Sequence, residues 1–202
     1  MTDISPFDAI PEEAVAPIPA RPRVLLTGTV LAAAAVAIAY AGLVGHYAAR
    51  RSEVRAGGET WLPDGVVIPL TQPNYMMFTM VLSIISILWA VHAVKLNDRT
   101  NAYSAFGLTL VFGVSQIFQT YFLVSILDMA PETEQATLIY TLIGVQIAVL
   151  GAAMAFVAAA AIRTMIGGYS SRDYEGVAAA AIFWILAVGV YTALWYAVYI
   201  TK

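Results

Sequence analysis

Asn101-Ala-Tyr-Ser-Ala-Phe-Gly-Leu-Thr-Leu-Val-Phe-Gly-Val-Ser-Gln-Ile-Phe-Gln-Thr-Tyr-Phe-Leu-Val-Ser-Ile-Leu127 holds no Lys, Arg, Asp, Glu, His or Pro. As a helix rising ~1.5 Å per residue, its apolar part covers roughly 39 Å, more than the ~30 Å hydrocarbon core of a bilayer. Gln116, Gln119 and Thr120 are spaced i, i+3, i+4 and so share one face. A glutamine amide in lipid needs a partner, and a neighbouring helix is the expected one. Two apolar spans precede this stretch and two follow, which makes it the expected central packing element.

Outward from this stretch, the chain keeps the same character. Of its 202 residues, 60% are hydrophobic and 11% are charged, and the mean hydropathy is +0.78. A soluble domain runs nearer half apolar and a quarter charged. The composition points to an integral membrane protein. The expected fold is all-α, a polytopic bundle of five transmembrane helices over residues 23–202, with spans at about 24–47, 74–94, 102–127, 136–162 and 176–200. The net charge of −3 is small, and no basic run suggests a nucleic-acid partner. The chain has no cysteine, which excludes disulfides, thiolate ligands, iron–sulfur clusters and thiol catalysis.

Residues 1–22 carry Pro6, Pro11, Pro17, Pro19 and Pro22 with four acids and one arginine, a composition expected to form a disordered cytoplasmic tail. The first span carries Ala32 to Ala35 in a row and then Gly42 and Gly45. Small side chains let a neighbouring backbone approach closely, so this helix is expected to pack tightly. The loop expected over residues 48–73 places Trp61 at the membrane interface. Met76, Met77 and Met80 read as core filler. On the fourth span Gly144, Ala148, Gly151, Ala155 and Ala159 recur near every fourth residue and make a second smooth face, with Gln146 the one strongly polar group. Gly42 and Gly151 are expected at close helix crossings, and Gly151→Leu is expected to disturb assembly more than Val36→Glu.

Five spans place the termini on opposite sides. Arg21, Arg23, Lys95, Arg99, Arg163 and Arg172 fall on one side, and Arg50, Arg51, Arg55 and Lys202 on the other. The positive-inside bias favours a cytoplasmic N-terminus and an exterior C-terminus.

The spans hold no ionisable side chain near their centres. Pumps and coupled transporters keep such groups in the membrane for function, so a proton relay or ion site built from these helices is not expected. A small transporter would have to build its lumen from Gln116, Gln119, Gln146 and a few hydroxyls. His46 and His92 fall near opposite membrane faces, roughly 20–30 Å apart by the helix rise, and cannot share a metal. No loop supplies several N or S donors together. Nucleotide-binding glycine loops and the hydrolase and metalloprotease motifs are absent from the sequence. No catalytic, cofactor-binding or metal-binding residue is expected in this chain.

Laid out by span, the chain resembles subunit III of haem–copper oxidases in its shorter five-helix bacterial form. The resemblance runs from about Thr27 to Ile200. It is carried by Gly28-Thr29, Tyr40-Ala41-Gly42-Leu43, Tyr47 and Arg50 on the first helix, and by Trp61-Leu62-Pro63 in the loop. It continues through Ser115 to Thr120 on the central helix, Arg163-Thr164 after the fourth, and Phe183-Trp184 on the last. The family's membrane glutamates are replaced here by Val36 and Gln119, its paired histidines by Val145 and Ala148, and its last-helix His and Asp by Ile185 and Val188.

That resemblance implies a non-catalytic subunit of a terminal oxidase. Haem and copper would reside in partner subunits, the catalytic subunit I and subunit II, and phospholipid would bind between helices. The lost carboxylates imply a reduced proton-related role. Gln116, Gln119, Gln146, Gly42, Gly151 and Trp184 are then the residues expected to matter, all as structural or inter-helix positions. The other readings are an accessory or assembly subunit of a different membrane oxidoreductase, or a small transporter.

Overall fold

A computed structural model describes residues 23–63, 65–127 and 129–201 of the chain. The proline-rich segment 1–22, expected to be disordered, lies outside the described residues. Five helices run in order: α1 Val24–Ala56, α2 Thr71–Lys95, α3 Arg99–Leu127, α4 Glu134–Met165 and α5 Glu175–Leu194. A π-helical turn, Trp195–Ile200, extends α5. All five are long and apolar enough to cross a membrane. The protein is an all-α polytopic membrane protein. The end of the bundle where α1 begins is called here the leading end, and the end where α1 finishes the trailing end.

Each boundary has a local cause. α1 runs on past Tyr47, through residues expected to form a loop, as far as Ala56. Arg50, Arg51, Glu53 and Arg55 are polar but good helix formers, so the helix leaves the apolar layer without unwinding. Gly57-Gly58 stops it, with Gly58 at φ +84°. Pro73 sits in the first turn of α2, where its missing N–H costs nothing. Asp98 caps α3: its carboxylate accepts from the backbone N–H of Asn101 at 3.1 Å and from the Asn101 side chain at 2.6 Å. Thr133 caps α4 through the Ala136 N–H at 3.3 Å. Gly167, at φ +81°, closes it.

α5 is the core of the bundle. It packs on α1, α2 and α4, while α2 pairs with α3 and α3 with α4. Of each helix's most apolar stretch, 56% is buried in α5, against 28% in α3 and 17% in α1. The expectation that the 101–127 helix is central is therefore corrected. α3 sits on the rim and turns Phe118, Tyr121 and Phe122 outward. In a bilayer such side chains face acyl chains, which are as apolar as a protein core, so exposure costs them nothing.

Trp61 is corrected too. Its ring is 3% exposed, its N–H donates to the Tyr47 hydroxyl at 3.1 Å, and the two rings meet edge to face with centroids 5.5 Å apart. The indole is held by a buried partner on α1 instead of by interfacial water.

Candidate functional site

Ser83, Ser86, Thr109 and Trp184 form a polar seam across three helices. The Trp184 N–H on α5 donates to Ser83 Oγ on α2 at 2.9 Å. Ser83 donates back to the Met80 carbonyl at 2.6 Å, and Ser86 to the Ser83 carbonyl at 2.9 Å. Ser86 Oγ also meets Thr109 Oγ1 on α3 at 2.8 Å. Ser83, Ser86, Thr109 and Trp184 are all buried. In lipid each hydroxyl needs a partner: Ser83 gives its proton to its own helix and accepts from Trp184, while between Ser86 and Thr109 one of the two hydroxyls donates across to the other. The seam ties α5, α2 and α3 together. It contains no ionisable group.

Beside it a glycine of α3 lies against side chains of α4 and α5. A Cβ built on Gly113 of α3 would stand 2.9 Å from Met154 Sδ on α4 and 2.9 Å from Trp184 Cη2 on α5. Only a glycine fits there. Trp184, fully buried, fills the space that Gly113 leaves.

The residues singled out by sequence divide sharply. Trp184 takes part in both the seam and the close approach. Gln116 is fully buried, yet neither atom of its amide has a hydrogen-bond partner, and the same holds for Gln146. The Tyr191 hydroxyl is near Gln116 but gives its proton to the Pro73 carbonyl at 2.9 Å. Gln119 is half-exposed and donates to Ser115 Oγ on its own helix at 3.0 Å. The expected inter-helix bonds of the glutamines are therefore not formed. A serine one turn away intercepts Gln119, and the Tyr191 hydroxyl beside Gln116 spends its proton on the Pro73 carbonyl.

Gly42 and Gly151 are corrected as well. Both are exposed, and a Cβ on either would meet nothing within 4 Å. Gly28, Ala32, Ala35, Ala39 and Gly42 make an outward face on α1, and Gly144, Ala148, Gly151, Ala155 and Ala159 another on α4. The cause is on the opposite side of each helix. Tyr40 and Tyr47 point inward from α1, Tyr40 reaching the Leu142 carbonyl of α4 at 3.3 Å. Leu142, Ile143, Val149 and Leu150 do the same from α4.

The sequence reading passed over Ser83, Ser86, Thr109 and Gly113. A signal existed for the hydroxyls: Ser83 and Ser86 are three apart on one helix face, and Thr109 stands alone in an apolar run.

Both ends of the bundle are pinned by charge. At the trailing end Arg50 of α1 forks onto Glu134 of α4, Nε at 2.6 Å and Nη2 at 3.0 Å, and also pairs with Glu53. These groups are exposed, so the pairing is worth little energy and mainly fixes geometry. At the leading end Glu175 of α5 accepts from the Leu26 N–H of α1 at 2.8 Å, completing the first turn of a helix with no cap of its own. Asn97, in the left-handed region at φ +56°, exchanges two 2.8 Å hydrogen bonds with Ser171 and joins the α2–α3 turn to the α4–α5 loop.

His46 and His92 are exposed on α1 and α2, the first toward the trailing end and the second at the leading end. Among the described residues, no three His, Cys, Asp or Glu side chains gather where a metal ion could be held. What the arrangement offers is a pinned scaffold with a sealed seam and two smooth outer faces. No known protein-family model matches the chain, and no curated protein matches it either.

Proposed function

We propose that this chain is a non-catalytic helical subunit, of the subunit III kind, in a respiratory haem–copper terminal oxidase. In this reading it sits in a bacterial plasma membrane with its N-terminus cytoplasmic and its C-terminus exterior. Subunits I and II hold the haem and copper and carry out the oxygen chemistry. The chain buttresses the catalytic subunit, and lipid fills gaps between helices.

One observation supports the reading beyond the resemblance. The small-residue faces of α1 and α4 are turned outward, with open space at Gly28, Gly42, Gly144 and Gly151. Lipid gains little from a glycine face. A transmembrane helix of another subunit gains close backbone approach and dispersion contacts.

The test is gentle detergent extraction of the tagged chain, followed by an optical spectrum and mass spectrometry of what co-purifies. Haem a-type or o-type bands together with a large haem–copper subunit are expected. A colourless, stable and monodisperse preparation of this chain alone would overturn the proposal. Within the same experiment, Gly42→Leu and Gly151→Leu are expected to release the partner while leaving the isolated chain folded.

A further inference from the structure

Cations gather at the leading end: Arg23 before α1, Lys95 at the end of α2, Arg99 at the start of α3, Arg163 in the last turn of α4 and Arg172 in the α4–α5 loop. Lys95 lies over the Tyr174 ring at 4.7 Å and Arg163 over the Tyr169 ring at 5.9 Å, contacts that leave each charge uncancelled. Among the described residues, no carboxylate pairs with Lys95, Arg99, Arg163 or Arg172. The acids of this end are committed elsewhere. Asp98 caps α3 through Asn101, Glu175 holds the Leu26 N–H, and Asp173 is engaged as well.

Arg99 stands at a cleft of about 140 Å³ between the α2–α3 turn and the α4–α5 loop. Its Nη2 lies 3.7 Å from where a Cβ on Gly167 would stand, so the guanidinium reaches across from α3 to that loop. Val94 and Ala102, both buried, give the cleft an apolar floor. An apolar cavity of ~150 Å³ holds a benzene, so the cleft has room for one aliphatic side chain and little more. The matching chemistry is an apolar residue flanked by acids, and this chain carries one. Asp8-Ala9-Ile10-Pro11-Glu12-Glu13 sets a single isoleucine among three carboxylates. A residue before proline favours extended backbone, which suits insertion of one side chain. Residues 1–22 hold Asp3, Asp8, Glu12 and Glu13 against Arg21 alone, and they join the bundle at this same end. From Ile10 to Val24 the chain reaches at most roughly 45 Å. From α1 past α4 to α3 is two helix spacings, ~16–20 Å. A short tether holds the segment at a millimolar effective concentration, enough to populate contacts that are weak one by one.

We propose that the acidic segment 8–13 of this chain docks on the chain's own leading end, with Ile10 in the cleft and the flanking carboxylates on Arg99 and the cations around it. The docked segment covers Arg99 and closes the gap between the two turns. The inference rests on the cleft and the uncancelled charges, and it stands whether or not the chain belongs to an oxidase.

The chain has no cysteine, so two spin labels can be placed on the full-length protein, through Ala9→Cys in the segment and Ile166→Cys, an exposed position just past α4. Pulsed electron paramagnetic resonance in uncharged micelles reads their separation, and circular dichroism reports the fold. One narrow distance is expected at ~0.01 M salt and a broad distribution at ~1 M, where the Debye length is only ~3 Å. Arg99→Gln is expected to lower the ratio of docked to free segment about fivefold, the top of the range for one exposed ion pair. Ile10→Ser is expected to lower it about tenfold, the loss of one buried aliphatic side chain. That residue lies outside the bundle, so the proposal remains testable if the Arg99 variant fails to fold. Arg55→Gln removes equal charge from the trailing end and is expected to leave the ratio unchanged. A broad distribution at low salt, or an equal loss with Arg55→Gln, would overturn the proposal. Loss of the narrow distance on dilution with excess unlabelled chain would place the segment on a second copy. Its loss in phosphatidylglycerol vesicles but not in phosphatidylcholine vesicles would give the cations to lipid headgroups. Either result would overturn docking within the chain.

Discussion

α1 and α5 are built from similar material and are used in opposite ways. Each carries four alanines in a row, Ala32 to Ala35 and Ala178 to Ala181. In α5, Ala179, Ala180 and Ala181 are all buried, whereas in α1 only Ala33 is. Small residues permit close approach but do not choose a direction. The direction is chosen by aromatic groups whose polar atoms find partners. Trp184 and Tyr191 reach Ser83 and the Pro73 carbonyl from α5. On α1 the inward anchors are Tyr40 and Tyr47, and Gly42, two positions from Tyr40, falls on the far side of the helix. The alanines of α5 sit between anchors that face several neighbours, so they are enclosed.

The largest expected effect tests the anchors. Trp184→Ala removes a fully buried indole and its bond to Ser83, and is expected to cost about 3–5 kcal/mol. The measure is unfolding of the purified chain in detergent micelles. Tyr40→Phe loses only the hydroxyl bond to Leu142 and is expected to cost about 1 kcal/mol. A Tyr40 variant as damaging as the Trp184 variant would show that α1 is as integral as α5, and the contrast would fail.

The next effect concerns glycines. Gly113→Leu must displace both Met154 and Trp184 and is expected to cost at least 1–3 kcal/mol, roughly the cost of overpacking. Gly42→Leu and Gly151→Leu enter open space and are expected to stay within about 0.5 kcal/mol in the isolated chain. If Gly42→Leu matched Gly113→Leu in the same assay, the outward assignment of the α1 face would be wrong.

Gln116 carries a prediction of opposite sign. Its amide is buried without partners, and Gln116→Met keeps the length while removing the unpaired groups. The variant is expected to be more stable by about 1–3 kcal/mol, roughly the penalty of an unsatisfied buried polar group. A destabilised variant would mean that the amide is satisfied by bound water. Ser86→Ala, which breaks the link to Thr109, is expected to cost about 0.6–1.7 kcal/mol, the range of inter-helix bonds in membranes.

What could be read from the sequence was set by what a bilayer demands. Five runs free of charge are visible without tertiary information because each must span the hydrocarbon alone. Which helix would be central was not visible. Aqueous proteins mark their core with an amphipathic stripe, but a lipid-facing side chain is as apolar as a buried one. Phe118, turned to lipid, and Phe106, inside the bundle, are the same residue type on the same helix. The glutamines misled for a related reason: their need for a partner was legible, but Ser115 on the same helix and the Pro73 carbonyl that takes the Tyr191 proton were not. Trp184 was picked out from the resemblance. Its partner Ser83 and its neighbour Gly113 required the fold.

The smallest expected effect separates helices that carry their own cap from those that borrow one. Neither α1 nor α5 has a capping side chain at its own N-terminus, and α1 relies on Glu175 of α5. α3 carries Asp98, whose carboxyl is held below the usual aspartate range by the Asn101 side chain and then by the Asn101 backbone N–H. A carboxyl depressed in the folded state stabilises above its unfolded value, about 3.9 for aspartate, and loses that contribution as pH falls through the lower folded value. Stability in micelles is therefore expected to be insensitive to this group from neutral pH down to about 5, and to fall as the solution is taken below about 4. Asp98→Asn keeps a capping oxygen and removes the titration, so it should flatten that acid limb with little change at pH 7. Glu175→Gln keeps an acceptor for the Leu26 N–H and should leave the limb in place. An acid limb unchanged in Asp98→Asn would show that α3, like α1 and α5, takes no stability from a carboxylate at its own start.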